Sequence, residues 1–295
     1  RVFAGSYVEP PGAFGIQRNT LAPAAGRFLA PWARSNQPGY AGGGNTFDLS
    51  RFSDDYLARL KDFVGEAGRR GVVVELTLFC ATYNERQWSL HPLNPANNVQ
   101  SLPLPDWRKL NTLPAGTSPR EAGAVSPAFA VQQALTRWLV RELNGFDNLF
   151  FEIQNGPGAD NRVPGEVINP YLLDRPTWPN AVEIPAAEAV AWQRAIAWAI
   201  ADEESRLPHR HIIAQTVANF RLAVHDGDMV PEASIVNFHY AYPEAVDWNR
   251  GLGRVIGCDE TGFAGRGDDH YRRQAWRFVL SGGALFNHLD YSFTV

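Results

Sequence analysis

Two short segments of the chain place carboxylate or amide side chains directly after apolar stretches. Residues 150–157 read FFEIQNGP, and residues 257–263 read GCDETGF, with Glu260 at the point where the apolar stretch ends. A carboxylate in such a position can attack an electrophilic carbon or exchange a proton with a bound substrate. Its neighbour Asp259 is more typical of a structural hydrogen-bond acceptor. Either segment alone is a weak signal, because solvated turns have a similar composition, but the two together favour a catalytic cleft.

The apolar periodicity around these segments predicts helices and strands that alternate along the chain. Apolar positions at helical spacing predict helices over residues 54–70, 126–144, 186–206 and 269–280. Short apolar runs predict buried strands over residues 1–6, 72–79, 148–154, 211–216, 234–239, 254–258 and 284–289. The two candidate segments therefore lie at the ends of the strands at 148–154 and 254–258.

The long polar segments, at 8–53, 81–124 and 156–184, follow strands, whereas the connections that precede strands are short. This asymmetry is typical of a (β/α)8 TIM barrel, in which loops at the C-terminal ends of the strands carry the active site. We therefore predict an α/β fold, a single TIM-barrel domain over residues 1–295. Seven strands are predicted and the first is short, so we expect an incomplete barrel, with its first strand before Arg1 and its last helix after Val295.

The overall composition excludes several other classes of function. The formal net charge is −4 and the hydrophobic fraction is 45%, which predicts a folded core and no basic surface for nucleic acid or an anionic membrane. No apolar run is long enough to span a bilayer, no signal peptide is visible, and two cysteines are too few for a disulfide framework. Aromatic residues reach 12%, which favours a carbohydrate ligand only slightly, because cores use the same side chains.

With these segments in place, the chain resembles clan A glycoside hydrolases, near the cellulase-like family 5 enzymes and a group of uncharacterised bacterial cellulase-like proteins. In that clan the fourth strand ends in Asn-Glu-Pro, and its Glu is the general acid/base. The resemblance implies that Glu260 is the nucleophile of a retaining hydrolase and that Asn155 binds the sugar 2-hydroxyl. It also implies that His239 supports the site and that Arg1 keeps the nucleophile ionised.

The chain departs from the clan pattern at residue 156, where the acid/base Glu is replaced by Gly156. General acid–base catalysis contributes about 10²–10⁴-fold to such reactions, so we expect weak hydrolysis of ordinary β-linked glycans. Glu152 is not expected to substitute, because strand alternation places it on the face opposite Asn155. Asp160, in the following loop, is a weaker candidate. The alternative hypothesis is a catalytically inactive barrel that only binds carbohydrate; a third is that Gly156 is a mutation in an ordinary enzyme.

Residues at the upper ends of strands and on the upper loops are candidates to bind the sugar. The aromatic candidates for stacking are Trp32, Tyr83, Trp88, Tyr240 and Tyr242, and Asn287 is a polar candidate on the last strand. The clan commonly has a Trp on that strand, and it is absent here. No motif predicts a metal site or a cofactor, and the oligomeric state is left open. Relatives of this kind are commonly exported, so the resemblance favours a secreted or periplasmic protein.

Overall fold

One parallel sheet of seven strands organises the computed structural model, which describes residues 1–104, 106–157, 162–164, 181–219, 223–241, 243–262 and 267–288. In this part of the chain the strands are β1 (Val2–Phe3), β2 (Trp32–Pro38), β3 (Asn45–Phe52), β4 (Val74–Cys80), β5 (Leu149–Asn155), β6 (Arg162–Pro164), β7 (Ala181–Glu183), β8 (Ile213–Asn219), β9 (Ile235–His239), β10 (Val255–Glu260) and β11 (Leu285–Phe286). The sheet order is β1-β4-β5-β8-β9-β10-β11, and every neighbouring pair is parallel.

Helices connect the strands of this sheet, and four of those in the described ranges lie close to the predicted positions. The helices in this part of the chain are α1 (Asp54–Arg69), α2 (Glu85–Leu90), α3 (Ala122–Val125), α4 (Pro127–Leu143), α5 (Ala187–Glu204), α6 (Pro243–Asn249) and α7 (Asp268–Leu280). Side chains at the caps fix where α1 and α4 begin, because Ser53 accepts from the Tyr56 N–H and Ser126 accepts from the Phe129 N–H. No helix in the described ranges combines the length and apolarity needed to cross a membrane.

The sheet is strongly curved. Arg1, immediately before β1, lies 3.2 Å from Glu260 at the end of β10. The two strands are five positions apart in the sheet, which would be about 24 Å on a flat surface at roughly 4.8 Å per strand. Asn237 of β9 likewise donates to Glu75 of β4 across the interior, at 2.8 Å. The seven strands therefore form a curled parallel sheet of the kind found in TIM barrels. That the barrel is incomplete, with an eighth strand and a last helix beyond the chain ends, stays a prediction, as does the single domain.

The strands that close around the interior are buried along their whole length. Every residue of β4, β5 and β9 is buried, as expected for a parallel sheet with helices packed on its outer face. These strands also carry polar side chains into the interior, including Glu75, Thr77, Glu152 and Asn237, so the barrel core is apolar outside the sheet and partly polar inside it.

Two of the predicted loops contain antiparallel strand pairs. Within 8–53 the strands β2 and β3 form a hairpin, and within 156–184 the short strands β6 and β7 pair. The β2–β3 turn passes through Gly39, Gly43 and Gly44, all with positive φ, a conformation that glycine adopts without steric cost. The pairing of β2 and β3 is irregular at two places, which explains why the sequence shows no regular alternation there.

Candidate active site

Arg1 lies at the centre of a cluster of ionisable side chains inside the barrel. Its Nη2 atom contacts Glu152 Oε2 at 2.8 Å and Asp259 Oδ2 at 3.1 Å, and its Nη1 atom contacts Glu260 Oε2 at 3.2 Å. Burial lowers the pKa of the guanidinium, but the charges of Asp259 and Glu152 raise it well above its ordinary value. Arg1 is therefore a permanent cation that holds three carboxylates in place.

A β-bulge at the end of β10 presents two consecutive carboxylates to this cation. Between Cys258 and Glu260 the register with β9 shifts, so that Asp259 is the extra residue. In a regular strand, neighbouring side chains point to opposite faces. Because the bulge re-aims the strand, Asp259 and Glu260 both reach Arg1. Glu260 keeps 14% of its side chain exposed, whereas Asp259 is fully buried, so of these two carboxylates solvent reaches Glu260 alone.

The two buried carboxylates beside Arg1 differ in charge. Burial raises the pKa of Asp259, but Arg1 and His239 outweigh it and hold that pKa well below its ordinary value. Burial raises the pKa of Glu152 to about 7, even though Arg1 acts in the opposite direction. Asp259 is thus the permanent counter-ion of Arg1. Glu152, in contrast, gains or loses its proton near neutral pH.

His239, at the end of β9, connects Asp259 to a neighbouring strand. Its Nε2 atom lies 3.3 Å from Asp259 Oδ1, and its Nδ1 atom lies 2.7 Å from Asn219 Oδ1 at the end of β8. Burial lowers the pKa of His239, but Glu260 and Asp259 raise it above its ordinary value. A register shift in β8 between Thr216 and Asn219 brings Asn219 opposite the histidine.

Tyr240 fixes the second oxygen of Glu260. Its hydroxyl donates to Glu260 Oε1 at 2.7 Å, and its backbone N–H donates to the Glu260 carbonyl at 2.8 Å. The residue has a φ of 54°, which is uncommon for any residue other than glycine and is typical of functional sites. Glu260 is therefore held from both sides, by Arg1 and by Tyr240.

Asn155 and Gly156 form the opposite wall, at the end of β5. Asn155 Oδ1 accepts from Arg1 Nη2 at 2.6 Å, and its Nδ2 atom lies 3.3 Å from the Tyr83 hydroxyl. Gly156 has a φ of 64°, and a Cβ atom built on it would lie 2.0 Å from the Tyr83 hydroxyl oxygen. The tyrosine hydroxyl therefore fills the volume into which a side chain at residue 156 would point.

The expectation that Glu152 faces away from Asn155 is wrong. Both side chains contact Arg1, Glu152 at 2.8 Å and Asn155 at 2.6 Å. Glu152 points into the barrel interior, where it also bonds Thr77 and Thr216. Strand alternation fails for Asn155 because it is the last residue of β5, and the chain turns out of the sheet at Gly156 immediately afterwards.

The remaining predicted sugar-binding residues are distributed less favourably. Trp32 is only 1% exposed and belongs to the main hydrophobic core, so the prediction that it stacks on a sugar is wrong. Trp88 is 9% exposed and packs in the same core against His91 at 5.5 Å, which also removes it as a platform. The Asn287 N–H donates to the Cys258 carbonyl beside β10. Tyr242 and Asp160 lie outside the described residues.

Comparison with known proteins supports the fold that carries this site. A provisionally assigned glycoside hydrolase from Bacteroides vulgatus superimposes with a TM-score of 0.54 at 14% identity, over 88% of this chain and 41% of that chain. The chain has the fold of that structure. This result confirms, at the level of the fold, the resemblance to clan A cellulase-like enzymes. No family model and no curated protein matches the sequence.

Two further solved structures are similar at lower scores. Endo-glycoceramidase II from a Rhodococcus species, in complex with a cellobiose-like imidazole, matches 81% of this chain and 61% of its own, with 14% identity and a TM-score of 0.48. A broad-specificity endoglucanase from an uncultured bacterium matches 83% and 70%, with 10% identity and a TM-score of 0.48. The chain spans less than two thirds of the length of the Bacteroides and Rhodococcus proteins.

A metal ion does not fit the buried cluster well. Glu152, His239 and Asp259 offer ligand atoms within 4.8 Å of one another. Arg1 already forms ion pairs with both of these carboxylates, at 2.8 and 3.1 Å. A cation placed between the three side chains would be repelled by the guanidinium, so the group is better explained as an ion-pair cluster.

Sequence reasoning missed three side chains of the site. Asn219 and Glu183 lie on segments that carry no recognisable motif. Asn219 reaches the site through the pairing of β8 with β9, and Glu183 reaches it through the hydrogen bond that Asn219 donates. Strand alternation predicts that Glu152 points away from the site, whereas its side chain contacts Arg1 inside the barrel. The usable signal for Glu152 was its place in an otherwise apolar buried strand, since a buried carboxylate needs a cationic partner.

Proposed function

We propose that this protein is a retaining O-glycosyl hydrolase that acts on a β-linked oligosaccharide or polysaccharide, with Glu260 as its nucleophile. The observation that carries the proposal is the double anchoring of the Glu260 carboxylate, by Arg1 at 3.2 Å and by the Tyr240 hydroxyl at 2.7 Å. A partly exposed carboxylate that is fixed by a cation at the C-terminal edge of a barrel is suited to attack an anomeric carbon.

In this mechanism each neighbour of Glu260 has a separate task. Arg1 stabilises the ionised carboxylate, because an adjacent cation favours the charged form of an acid. The Tyr240 hydroxyl orients Glu260 Oε1, so that one oxygen is fixed while the carboxylate approaches the sugar. Asn155, held by Arg1 at 2.6 Å, would bind the sugar hydroxyl next to the anomeric carbon.

Gly156 supplies no proton, so cleavage of an unactivated glycoside depends on an acid from elsewhere in the site. The second candidate function, a barrel that binds carbohydrate without cleaving it, is favoured by the Tyr83 hydroxyl, which fills the space beside Gly156. The two functions differ in whether Glu260 reacts, and a substrate whose leaving group needs no protonation isolates that difference.

Trapping the glycosyl-enzyme tests the nucleophile directly. A panel of 2,4-dinitrophenyl 2-deoxy-2-fluoro-β-glycosides should add the mass of one fluorosugar to the protein, located on the peptide that contains Glu260. The Glu260→Gln variant should remain unlabelled under the same conditions. Binding of an oligosaccharide by calorimetry, combined with no labelling by the matching fluoroglycoside, would instead support the binding barrel.

A further inference from the structure

A buried carboxylate lies on the same upper connection as Gly156. Glu183 is the last residue of β7, in the segment between β5 and α5, and only 6% of it is exposed. Asn219 Nδ2 donates to Glu183 Oε2 at 2.5 Å. The connection that begins with Gly156, which has no carboxylate, therefore provides one at Glu183, before α5 begins.

Glu183 is joined to the nucleophile through two side chains. Asn219, which donates to Glu183, lies 2.7 Å from His239 Nδ1 through its Oδ1 atom. The same His239 Nδ1 atom lies 3.9 Å from Glu260 Oε1. Asn219 and His239, at the ends of the adjacent strands β8 and β9, thus lie between the two carboxylates.

The charges of the two carboxylates act on the same pair of tyrosines. Burial raises the pKa of both Tyr83 and Tyr240, and the charges of Glu260 and Glu183 add to this effect. Tyr83 lies against Gly156, and Tyr240 lies against Glu260. The charge of Glu183 therefore acts at both walls of the gap in which the sugar would be cleaved.

From this placement we propose that Glu183 is the general acid/base of the reaction and replaces the carboxyl that is absent at residue 156. The proposal rests on the function proposed above. In the first step Glu260 bonds to the anomeric carbon, the glycosidic C–O bond breaks, and the Glu183 proton passes to the departing oxygen. In the second step Glu183 takes a proton from water, the water oxygen bonds to the anomeric carbon, and Glu260 is released.

A second buried carboxylate on an upper connection, Glu9, is the competing candidate. Its Oε1 atom accepts from the Tyr7 hydroxyl at 2.7 Å, and its Oε2 atom accepts from Asn19. These contacts hold Glu9 within the connection that follows β1, whereas the contacts of Glu183 lead to His239 and Glu260. The geometry therefore favours Glu183.

Kinetics with leaving groups of different basicity test the assignment. Glu183→Ala and Glu183→Gln should lower kcat/KM about 10²–10⁴-fold for β-glycosides with poor leaving groups, and far less for 2,4-dinitrophenyl glycosides. Sodium azide should accelerate turnover of the dinitrophenyl substrate by Glu183→Ala and yield the β-glycosyl azide, with no acceleration of the unmodified protein. Glu188→Gln, an exposed carboxylate five residues further on, is the matched control and should behave as the unmodified protein.

Other outcomes would overturn the assignment. Azide acceleration of the unmodified protein, with Glu183→Gln equal to it on every substrate, would show that no group replaces the missing acid. Loss of activity in Glu9→Gln but not in Glu183→Gln would assign the role to Glu9. Fluoroglycoside labelling of Glu260 in each variant shows that the variant is folded, and failure of that labelling in the unmodified protein would reject the proposed function itself.

Discussion

A single guanidinium organises the reactive residues of this barrel. Arg1 contacts Glu152, Asp259, Glu260 and Asn155, which come from two strands on different sides of the interior. A buried cation that loses its partners, or a buried carboxylate that loses its cation, is strongly unfavourable. The position of Glu260, the proposed nucleophile, is therefore fixed by charge pairing and by one additional hydroxyl, that of Tyr240.

Replacing Tyr240 by phenylalanine should weaken catalysis without unfolding the protein. The variant loses the 2.7 Å hydrogen bond to Glu260, and a hydrogen bond to a charged group contributes about 1.5–3 kcal/mol. We expect kcat/KM for a dinitrophenyl glycoside to fall roughly 10–100-fold. Tyr40→Phe, which removes a comparable hydrogen bond to the Leu90 carbonyl, should leave kcat unchanged. Equal kinetics for Tyr240→Phe and the unmodified protein would mean that the hydroxyl does not position Glu260.

Irregularities at strand ends, more than the strands themselves, bring the site together. The bulge in β10 aims both Asp259 and Glu260 at Arg1, and the register shift in β8 places Asn219 opposite His239. At the end of β5, Gly156 turns the chain with a φ of 64° and leaves room for Tyr83. Each of these three features lies at the C-terminal edge of the sheet, where barrel enzymes bind substrate.

The turn at Gly156 should resist a side chain for two separable reasons. We expect Gly156→Ala to lower the free energy of unfolding by about 1–2 kcal/mol for its positive φ, with a further loss from the contact with Tyr83. Gly116→Ala is the matched control, because Gly116 also has a positive φ and has open space around it. In the Tyr83→Ala background, the loss in the free energy of unfolding caused by Gly156→Ala should fall to that caused by Gly116→Ala, as measured by urea unfolding. An unchanged cost would exclude Tyr83 as the obstacle.

The same conflict bears on any attempt to restore the acid at its usual place. Gly156→Glu alone should give no gain in hydrolysis, because the backbone conformation and the Tyr83 hydroxyl both oppose the new side chain. This expectation replaces the simpler one from the clan pattern, in which the missing Glu would fit without other changes.

At the scale of the whole molecule, the barrel has an apolar shell and an ionisable interior. Glu75, Glu152, Asp259 and Arg1 are enclosed by the strands, and burial raises the pKa of Glu75 well above its ordinary value, with Asp259 and Glu152 adding to the effect. The outer helices also carry exposed apolar side chains, notably Trp248 on α6 and Trp276 and Leu280 on α7. Because burial raises the pKa of Glu75 and of Glu152, the free energy of unfolding should depend on pH.

Glu152 should make the protein less stable as the pH rises towards neutrality. Its pKa in the folded protein is raised from 4.5 to about 7, so its contribution favours folding below pH 4.5 and is lost between about pH 4.5 and 7. Over this range the unmodified protein should lose about 3 kcal/mol relative to Glu152→Gln, measured by urea unfolding at each pH. Asp259 titrates below this window and does not contribute to the difference. Glu142→Gln, on the surface, should parallel the unmodified protein; a parallel curve for Glu152→Gln would contradict the prediction.

Most of the scaffold and part of the site could be predicted from the sequence. The helices and parallel strands were predictable because their apolar periodicity is strong, and Glu260, Asn155, His239 and Arg1 meet as the clan resemblance implied. The hairpins and the roles of Trp32 and Glu152 were not predictable, because they depend on which residues the folded chain brings together. A tryptophan in a polar connection looks like a ligand platform until its burial is known.

The ionic cluster also indicates which substitutions the fold should tolerate. The cation and the three carboxylates of this cluster depend on one another: Arg1, Glu152, Asp259 and Glu260. Replacing any one of them leaves an opposite charge without its partner and should destabilise the fold. Residue 156 has no share in that mutual dependence. A substitution at residue 156 should therefore change stability only through its backbone conformation and its contact with Tyr83.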